Sequence, residues 1–332
     1  MAPKKLFITG ATGYIGGSVL NEALQRFPNF EFSALMRLER PDFTSRYPQV
    51  KIIKGSFDDS ETISTASEEA DIVIHAGDID HPGCAAAIIA GLKRKTTPSF
   101  VLHLTGTGCI SDELTSTYDG SLNPKVWNDV RDIFPIYDLP NEALHHTIDK
   151  QFMDLAPPIH SACIVPPDIY GSSTGVGGTE SFLIPRYVRA VKEKGEAFYL
   201  GKGENMRAVT HIDDVVEAFM ILLGEAVKGG GSATWGREGF YFVVADEIAW
   251  KDAANAVNEI LMEKDLLPKG SKAVSWDKDR LGQLLPSNPR IVLYLWGSNS
   301  RAESGRMRKL GWEPKGPSFW EILPVDTEAA FK

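Results

Sequence analysis

Short apolar runs alternate with longer amphipathic stretches through the first half of the chain. Lys5–Thr9, Phe30–Met36, Val50–Lys54, Asp71–His75 and Ser99–Leu104 read as short buried strands. Between them Tyr14–Arg26, Ser60–Glu69 and Pro82–Lys95 carry helical spacing. Apolar strands alternating with helices are the pattern of a parallel sheet covered on both faces. Right-handed crossovers then wind such a sheet doubly. The pattern lapses over Ser111–Pro140. It resumes with a helix expected over Asn141–Leu155 and a strand over Ile159–Val165. The run Gly171-Ser172-Ser173-Thr174-Gly175-Val176-Gly177-Gly178 reads as a flexible loop. Helices are then expected around Ile184–Lys194, Asp213–Leu223 and Trp250–Met262, and a strand over Phe240–Ala245. The fold expected is α/β and doubly wound. A parallel-sheet domain would cover residues 1–170. A smaller α/β lobe would cover 171–332 and partly re-enter the sheet around 205–245.

Composition narrows the partners. The 332 residues suit two domains, at about 150 residues each. Asp plus Glu number 44 against 35 Lys plus Arg, a formal net charge of −9. That balance argues against a nucleic-acid partner. The three cysteines, Cys84, Cys109 and Cys163, are odd in number and form no Cys-x-x-Cys. Neither a disulfide framework nor a metal site is expected, and a reducing compartment fits. No apolar run approaches the length of about 18 residues that a membrane span needs. Leu6-Phe7-Ile8 is too short for a signal-peptide core, so the expected location is cytoplasmic.

The first chemistry lies between the first strand and the first helix. Gly10-Ala11-Thr12-Gly13-Tyr14-Ile15-Gly16 is Gly-x-x-Gly-x-x-Gly. Gly10 permits a tight turn, Gly13 lets a pyrophosphate approach the backbone, and Gly16 lets helix and strand lie close. The helix N-terminus adds free N–H groups and a positive dipole end. This is the signature of a Rossmann dinucleotide site, with Gly10, Thr12, Gly13, Tyr14, Ile15 and Gly16 around the phosphates. An NAD site places an acidic residue about 20 positions further on, at the ribose 2′-hydroxyl. Here the second strand ends in Arg37, with Arg40 nearby. A guanidinium suits a 2′-phosphate. NADP is therefore expected over NAD.

From this point the chain resembles the extended and atypical short-chain dehydrogenase/reductases, which include sugar-nucleotide epimerases and dihydroflavonol-type reductases. It is also similar to an uncharacterised group of fungal epimerase-like proteins. Gly55-Ser56-Phe57-Asp58-Asp59 resembles the adenine-holding Gly-Asp-x-x-Asp, with Ser56 in place of Asp. Asp71 to Gly77 resembles the fourth strand, and Val101 to Thr107 the fifth strand with its terminal hydroxyl. Ile164 to Gly171 resembles the segment beside the nicotinamide, and Val209 to Val215 the late His-Val-Asp-Asp stretch. The resemblance implies cofactor contacts from Phe57, His75, Ala76, Gly77, Thr105 and Pro166. It also implies catalysis by Ser/Thr, Tyr and Lys, the Lys four residues after the Tyr.

That last motif is absent after Thr107: the tyrosine with Lys four residues on is Tyr47, well before the hydroxyl position. Thr107 matches the hydroxyl position. Tyr137 is the nearby phenol, and His146 stands near the Lys register. Either is a candidate proton donor. His145 and Asp149 share a helix face, a spacing that equally suits capping and packing. His211, Asp213 and Asp214 read as structural, as does Leu310-Gly311-Trp312-Glu313-Pro314. Tyr170 to Gly178, Phe182, Arg186 and Arg207 are candidate substrate linings, Arg207 for a diphosphate. Three functions stay open: an NADP-dependent oxidoreductase acting on a small-molecule carbonyl or hydroxyl, a sugar-nucleotide epimerase/dehydratase, and a non-catalytic NADP sensor or scaffold. Substrate and oligomeric state are not legible.

Overall fold

The computed structural model describes residues 3–114 and 119–331. Its centre is a parallel seven-stranded sheet. β1 (Lys5–Thr9) lies inside the sheet, with β2 (Glu31–Met36) and β3 (Val50–Lys54) on one side. β4 (Ile72–His75) and β5 (Ser99–Leu104) follow on the other side. After the two-residue β6 (Trp127–Asn128), β7 (Ile159–Val165) joins β5. The order reverses at β1, and in an open α/β sheet the cleft for ligands opens at that switch point, beyond the strands' carboxyl ends. The doubly wound fold is the one the alternating pattern implies.

Helices cover both faces. α1 (Tyr14–Arg26) buries Val19, Leu20 and Ala23 on one face. After the short α2 (Pro41–Arg46), α3 (Ser60–Glu69) and α4 (Pro82–Lys93) cover the other with Ile63, Ile88 and Leu92. The short α5 (Ile133–Tyr137) leads to α6 (His146–Met153), which adds Ile148 and Phe152 to that second core.

The later chain builds a third core. β8 (Asp168–Tyr170) leads into α7 (Leu183–Lys194) and β9 (Phe198–Leu200). β10 (Met206–His211) pairs with β8, and α8 (Ile212–Val227) follows. α8 places Phe219 and Leu222 in the same core as α1. β11 (Phe240–Phe242) pairs with β7 at the edge of the main sheet. β12 (Asp246–Ala249) joins β10, ahead of α9 (Trp250–Glu263). Tyr187, Phe198, Trp250 and Trp296 interlock edge to face in the lobe's own core. Among the described residues, no helix is long and apolar enough to cross a membrane.

Two local expectations are corrected. The helix expected over Asn141–Leu155 begins only at His146. His145 has φ +67°, in the left-handed region, and so stops helical propagation in front of it. The run Gly171–Gly178 is not a free loop. Its Gly171 carbonyl accepts from the Tyr14 hydroxyl at 2.7 Å, and Gly178 N donates to Thr12 O at 3.1 Å. Ser18 and Ser173 hydroxyls meet at 2.9 Å, and Thr174 N donates to Ser18 Oγ at 3.1 Å. Glycine is required there, because a Cβ on Gly177 would stand 1.6 Å from Thr12 O.

Candidate functional site

The glycine loop between β1 and α1 is built by close approach. Gly10 has φ +79°, and a Cβ there would lie 2.1 Å from Ala76 O. A Cβ on Gly16 would lie 2.3 Å from Gly10 O. Gly13 differs: a Cβ would meet only Gly10 O, at 3.2 Å. Gly13 is also the N-cap of α1, with no side chain capping the first turn. An open backbone face thus stands before uncapped N–H groups, which is what an anion needs. Tyr14 is committed elsewhere through its bond to Gly171 O. Ile15 is half-buried against the core beneath α1.

Beyond Gly10 and Thr12 a cavity of about 650 Å³ opens over the ends of β2 and β3. Met36, Arg37, Leu38, Arg40, Ser56 and Phe57 are among its lining. Arg37 is exposed and without a hydrogen-bond partner among the described residues. Arg40 is held by the Asp42 carboxylate and donates to Val176 O at 3.0 Å. The Phe57 ring lies against Gly77, where a Cβ would stand 2.6 Å from it. Ser56 N donates to the Asp59 carboxylate at 2.5 Å, so this turn closes without the family's first Asp.

The polar residues at the ends of β4 and β5 are buried among protein partners. His75 is fully buried, and its Nδ1 is 2.8 Å from the Thr9 hydroxyl. Its ring stacks on His103 at 5.2 Å. Burial first, then the neighbouring histidines, hold it neutral, well below 6.5. His75 therefore sits beneath the sheet rather than on a cofactor, which corrects the role expected for it. Thr105 is corrected for the same reason: its hydroxyl donates to Asp149 Oδ2 at 2.8 Å, buried. His103 Nε2 reaches the other Asp149 oxygen at 3.1 Å. Asp149 thus locks α6 onto β5. Asp149→Leu would leave two buried groups unpaired, at about 1–3 kcal/mol each. Urea unfolding is expected to show a loss of about 3 kcal/mol; an unchanged midpoint would remove this role.

The proton-donor candidates separate sharply. Thr107 is nearly buried where the chain leaves β5, its N–H donating to Pro166 O at 3.1 Å. Its hydroxyl has no hydrogen-bond partner among the described residues. Tyr137 is elsewhere. Its hydroxyl donates to Asp154 Oδ1 at 2.6 Å and receives Arg237 at 3.1 Å. Asp154 follows the last turn of α6, and the Gly106–Gly108 stretch lies against His145, the N-cap at its other end; the helix between them is about 12 Å long. His146 is 2% exposed. Burial, above all, lowers its pKa, and its ring faces the backbone of Tyr137 and Leu139. Neither candidate meets Thr107, which corrects both expectations.

The side chain that does reach this loop is His145, one residue earlier. A Cβ on Gly106 would lie 3.5 Å from His145 Nε2, and one on Gly108 would lie 3.1 Å from it. On its other side, His145 Nδ1 is 2.8 Å and 3.0 Å from the two Asp80 oxygens. The i, i+4 relation to Asp149 was the available signal. The pairing with Asp80, far away in sequence, was not.

Several late residues are structural. Arg207 is fully buried and forked onto Asp168 at 2.8 and 3.0 Å. It has no free face for a diphosphate, so that expectation is corrected. His211 accepts from Asp213 N and begins α8. Asp214 receives Lys315 N and Gly316 N, while Trp312 Nε1 donates to Asp214 O at 2.8 Å.

Comparison with known proteins agrees with this geometry. The NAD(P)H-binding family model matches residues 10–138. The NAD dependent epimerase/dehydratase family model matches residues 147–235. The chain is 29% identical to Oxidase ucsJ of an Acremonium species, over 97% of this chain and 96% of the relative. It is 26% identical to an uncharacterised Saccharomyces cerevisiae protein, over 94% and 95%. Its fold is similar to that of a Streptomyces venezuelae dTDP-glucose 4,6-dehydratase solved with NAD. There the TM-score is 0.64 at 17% identity, covering 98% of this chain and 96% of that one. A Thermus thermophilus UDP-glucose 4-epimerase in complex with NAD gives a TM-score of 0.63 at 15% identity, covering 98% and 99%.

Proposed function

We propose that this chain, which matches the NAD(P)H-binding and NAD dependent epimerase/dehydratase family models, is a cytoplasmic NADP-dependent oxidoreductase of a small-molecule carbonyl or hydroxyl, of the extended short-chain dehydrogenase/reductase type. The observation that carries the reading is the open face of Gly13 before an uncapped helix, leading into a cavity lined by an unpaired arginine. The fit is one of shape and charge. Gly10 and Gly16 bring the backbone close, Gly13 leaves room for a pyrophosphate, and Phe57 with Gly77 forms an apolar wall. Arg37 would hold a 2′-phosphate. When bound, the nicotinamide supplies or accepts hydride at its C4. Thr107 would orient the substrate oxygen.

Three buried free thiols suit a reducing compartment. The epimerase/dehydratase reading keeps the same cofactor cradle but loses Arg207 as its diphosphate anchor, since that side chain is spent on Asp168.

Cofactor choice tests the proposal. Native protein is expected to bind NADPH more tightly than NADH. Arg37→Asp removes a charge-assisted contact worth about 1.5–3 kcal/mol and is expected to abolish or reverse the preference. Equal affinity of the native chain for both cofactors would sink the NADP assignment.

A further inference from the structure

The absence of a Tyr-x-x-x-Lys after Thr107 leaves this reading without a proton donor. We propose that His145, oriented by Asp80, is that donor, so that an Asp–His pair replaces the phenol and lysine of the superfamily. The inference rests on the oxidoreductase reading and names the acid–base group of the same site.

Three observations converge on it. Asp80, in the loop after β4, takes His145 Nδ1 on both carboxylate oxygens, at 2.8 and 3.0 Å. Nδ1 is thereby fixed as the N–H donor, and Nε2 remains as the exchangeable atom. Nε2 has no hydrogen-bond partner among the described residues, and the side chain keeps 17% of its surface exposed. It stands over Gly106 and Gly108, the two residues that flank Thr107. A Cβ on Gly108 would crowd the ring, whereas one on Gly106 would sit at ordinary contact distance. Nε2 thus stands beside the stretch that carries Thr107 at the carboxyl end of β5, where Thr107 N–H donates to Pro166 O just past β7. His145 adopts its left-handed backbone there, a conformation that persists only where surroundings hold it.

The electrostatics suit a proton donor near neutral pH. Burial opposes the charge on His145. The Asp80 hydrogen bond and charge, with Asp149 and Glu113 behind, outweigh burial and raise the pKa above 6.5. Arg290 partly offsets Glu113, on which it lies at 2.8 Å. Asp80 itself is lowered: partial burial works against its charge, and its bond to His145 prevails.

In reduction, the carbonyl carbon gains hydride and its π pair moves to oxygen. Nε2–H of the imidazolium delivers the proton to that oxygen. The neutral ring keeps Nδ1–H on Asp80 and regains its Nε2 proton from solvent. In oxidation, neutral Nε2 takes the hydroxyl proton.

The test uses the full chain with ¹⁵N-labelled histidine. Native protein, Asp80→Asn and His145→Asn are titrated by NMR, with and without NADP⁺ whose binding is followed by calorimetry. Asn tolerates the left-handed backbone at 145, so this variant assigns the resonance in a folded protein. Neutral His145 is expected to carry its proton on Nδ1 and to titrate above 6.5. Asp80→Asn should lower that pKa by about one unit. Saturating NADP⁺ should move the Nε2 resonance. A neutral ring protonated on Nε2, or an Nε2 signal unmoved by bound NADP⁺, would overturn the pair. Failure of the native chain to bind any nicotinamide dinucleotide would overturn the oxidoreductase reading instead, and the tautomer would still decide whether Asp80 orients His145.

Discussion

His145→Asn is expected to lower kcat/KM for NADPH-dependent reduction of 9,10-phenanthrenequinone, a broad carbonyl probe, by about 10²–10⁴-fold. That is the usual contribution of a positioned general acid, about 3–5 kcal/mol of barrier. NADPH affinity should change little, because Nε2 lies at the β5 end and the glycine loop and Arg37 lie at the β1 and β2 ends. The pH profile carries the sign. His145 is a donor only when protonated, so reduction holds below its raised pKa and falls as pH rises through it. Asp80→Asn removes the group that raises the pKa and should move the fall to lower pH. Tyr137→Phe should leave the rate unchanged, since that hydroxyl is spent on Asp154. Native turnover in His145→Asn would exclude the residue as donor.

Gly13→Val should cost about fivefold to a hundredfold or more in NADPH affinity while the protein stays folded. The backbone there has φ −83° and ψ 171°, a conformation that valine adopts readily. Its Cβ would have Gly10 O as its one neighbour within 4 Å, so the side chain starts from an open position. Filling the space that a pyrophosphate needs costs about 1–3 kcal/mol or more. Gly10→Val behaves differently. Its Cβ would strike Ala76 O, so unfolding should accompany the loss of binding. Thermal melts of the two variants separate a blocked site from a broken turn.

The glycine loop was legible in sequence because its requirements are local. Positive φ at Gly10 and close approach at Gly16 follow from a strand, a turn and a helix in succession. Arg37 was legible as a position at the end of a strand. His145 was missed for a physical reason. Helical periodicity carried the helix back to Asn141, and register then put His146 in the site. One left-handed residue starts the helix later, and a step of one residue turns a side chain by about 100° around the axis. His146 goes into the core and His145 faces Gly106 and Gly108. The Asp80 contact lies 65 residues away in sequence, where no periodicity reaches. His75 failed differently. It ends β4 fully buried between Thr9 and His103, and a strand's alternation decides that only once the covering helices are in place. The glycines of the 171–178 run suggested mobility, but they are there because the run packs on the phosphate loop.

Calorimetric titration of the native chain with NADPH and with NADH tests the central claim most directly. A saturable site with one dinucleotide per chain and tighter binding of NADPH is the predicted result. Binding of neither at millimolar concentration would contradict it, because the open face of Gly13, the uncapped helix and Arg37 would then serve no cofactor.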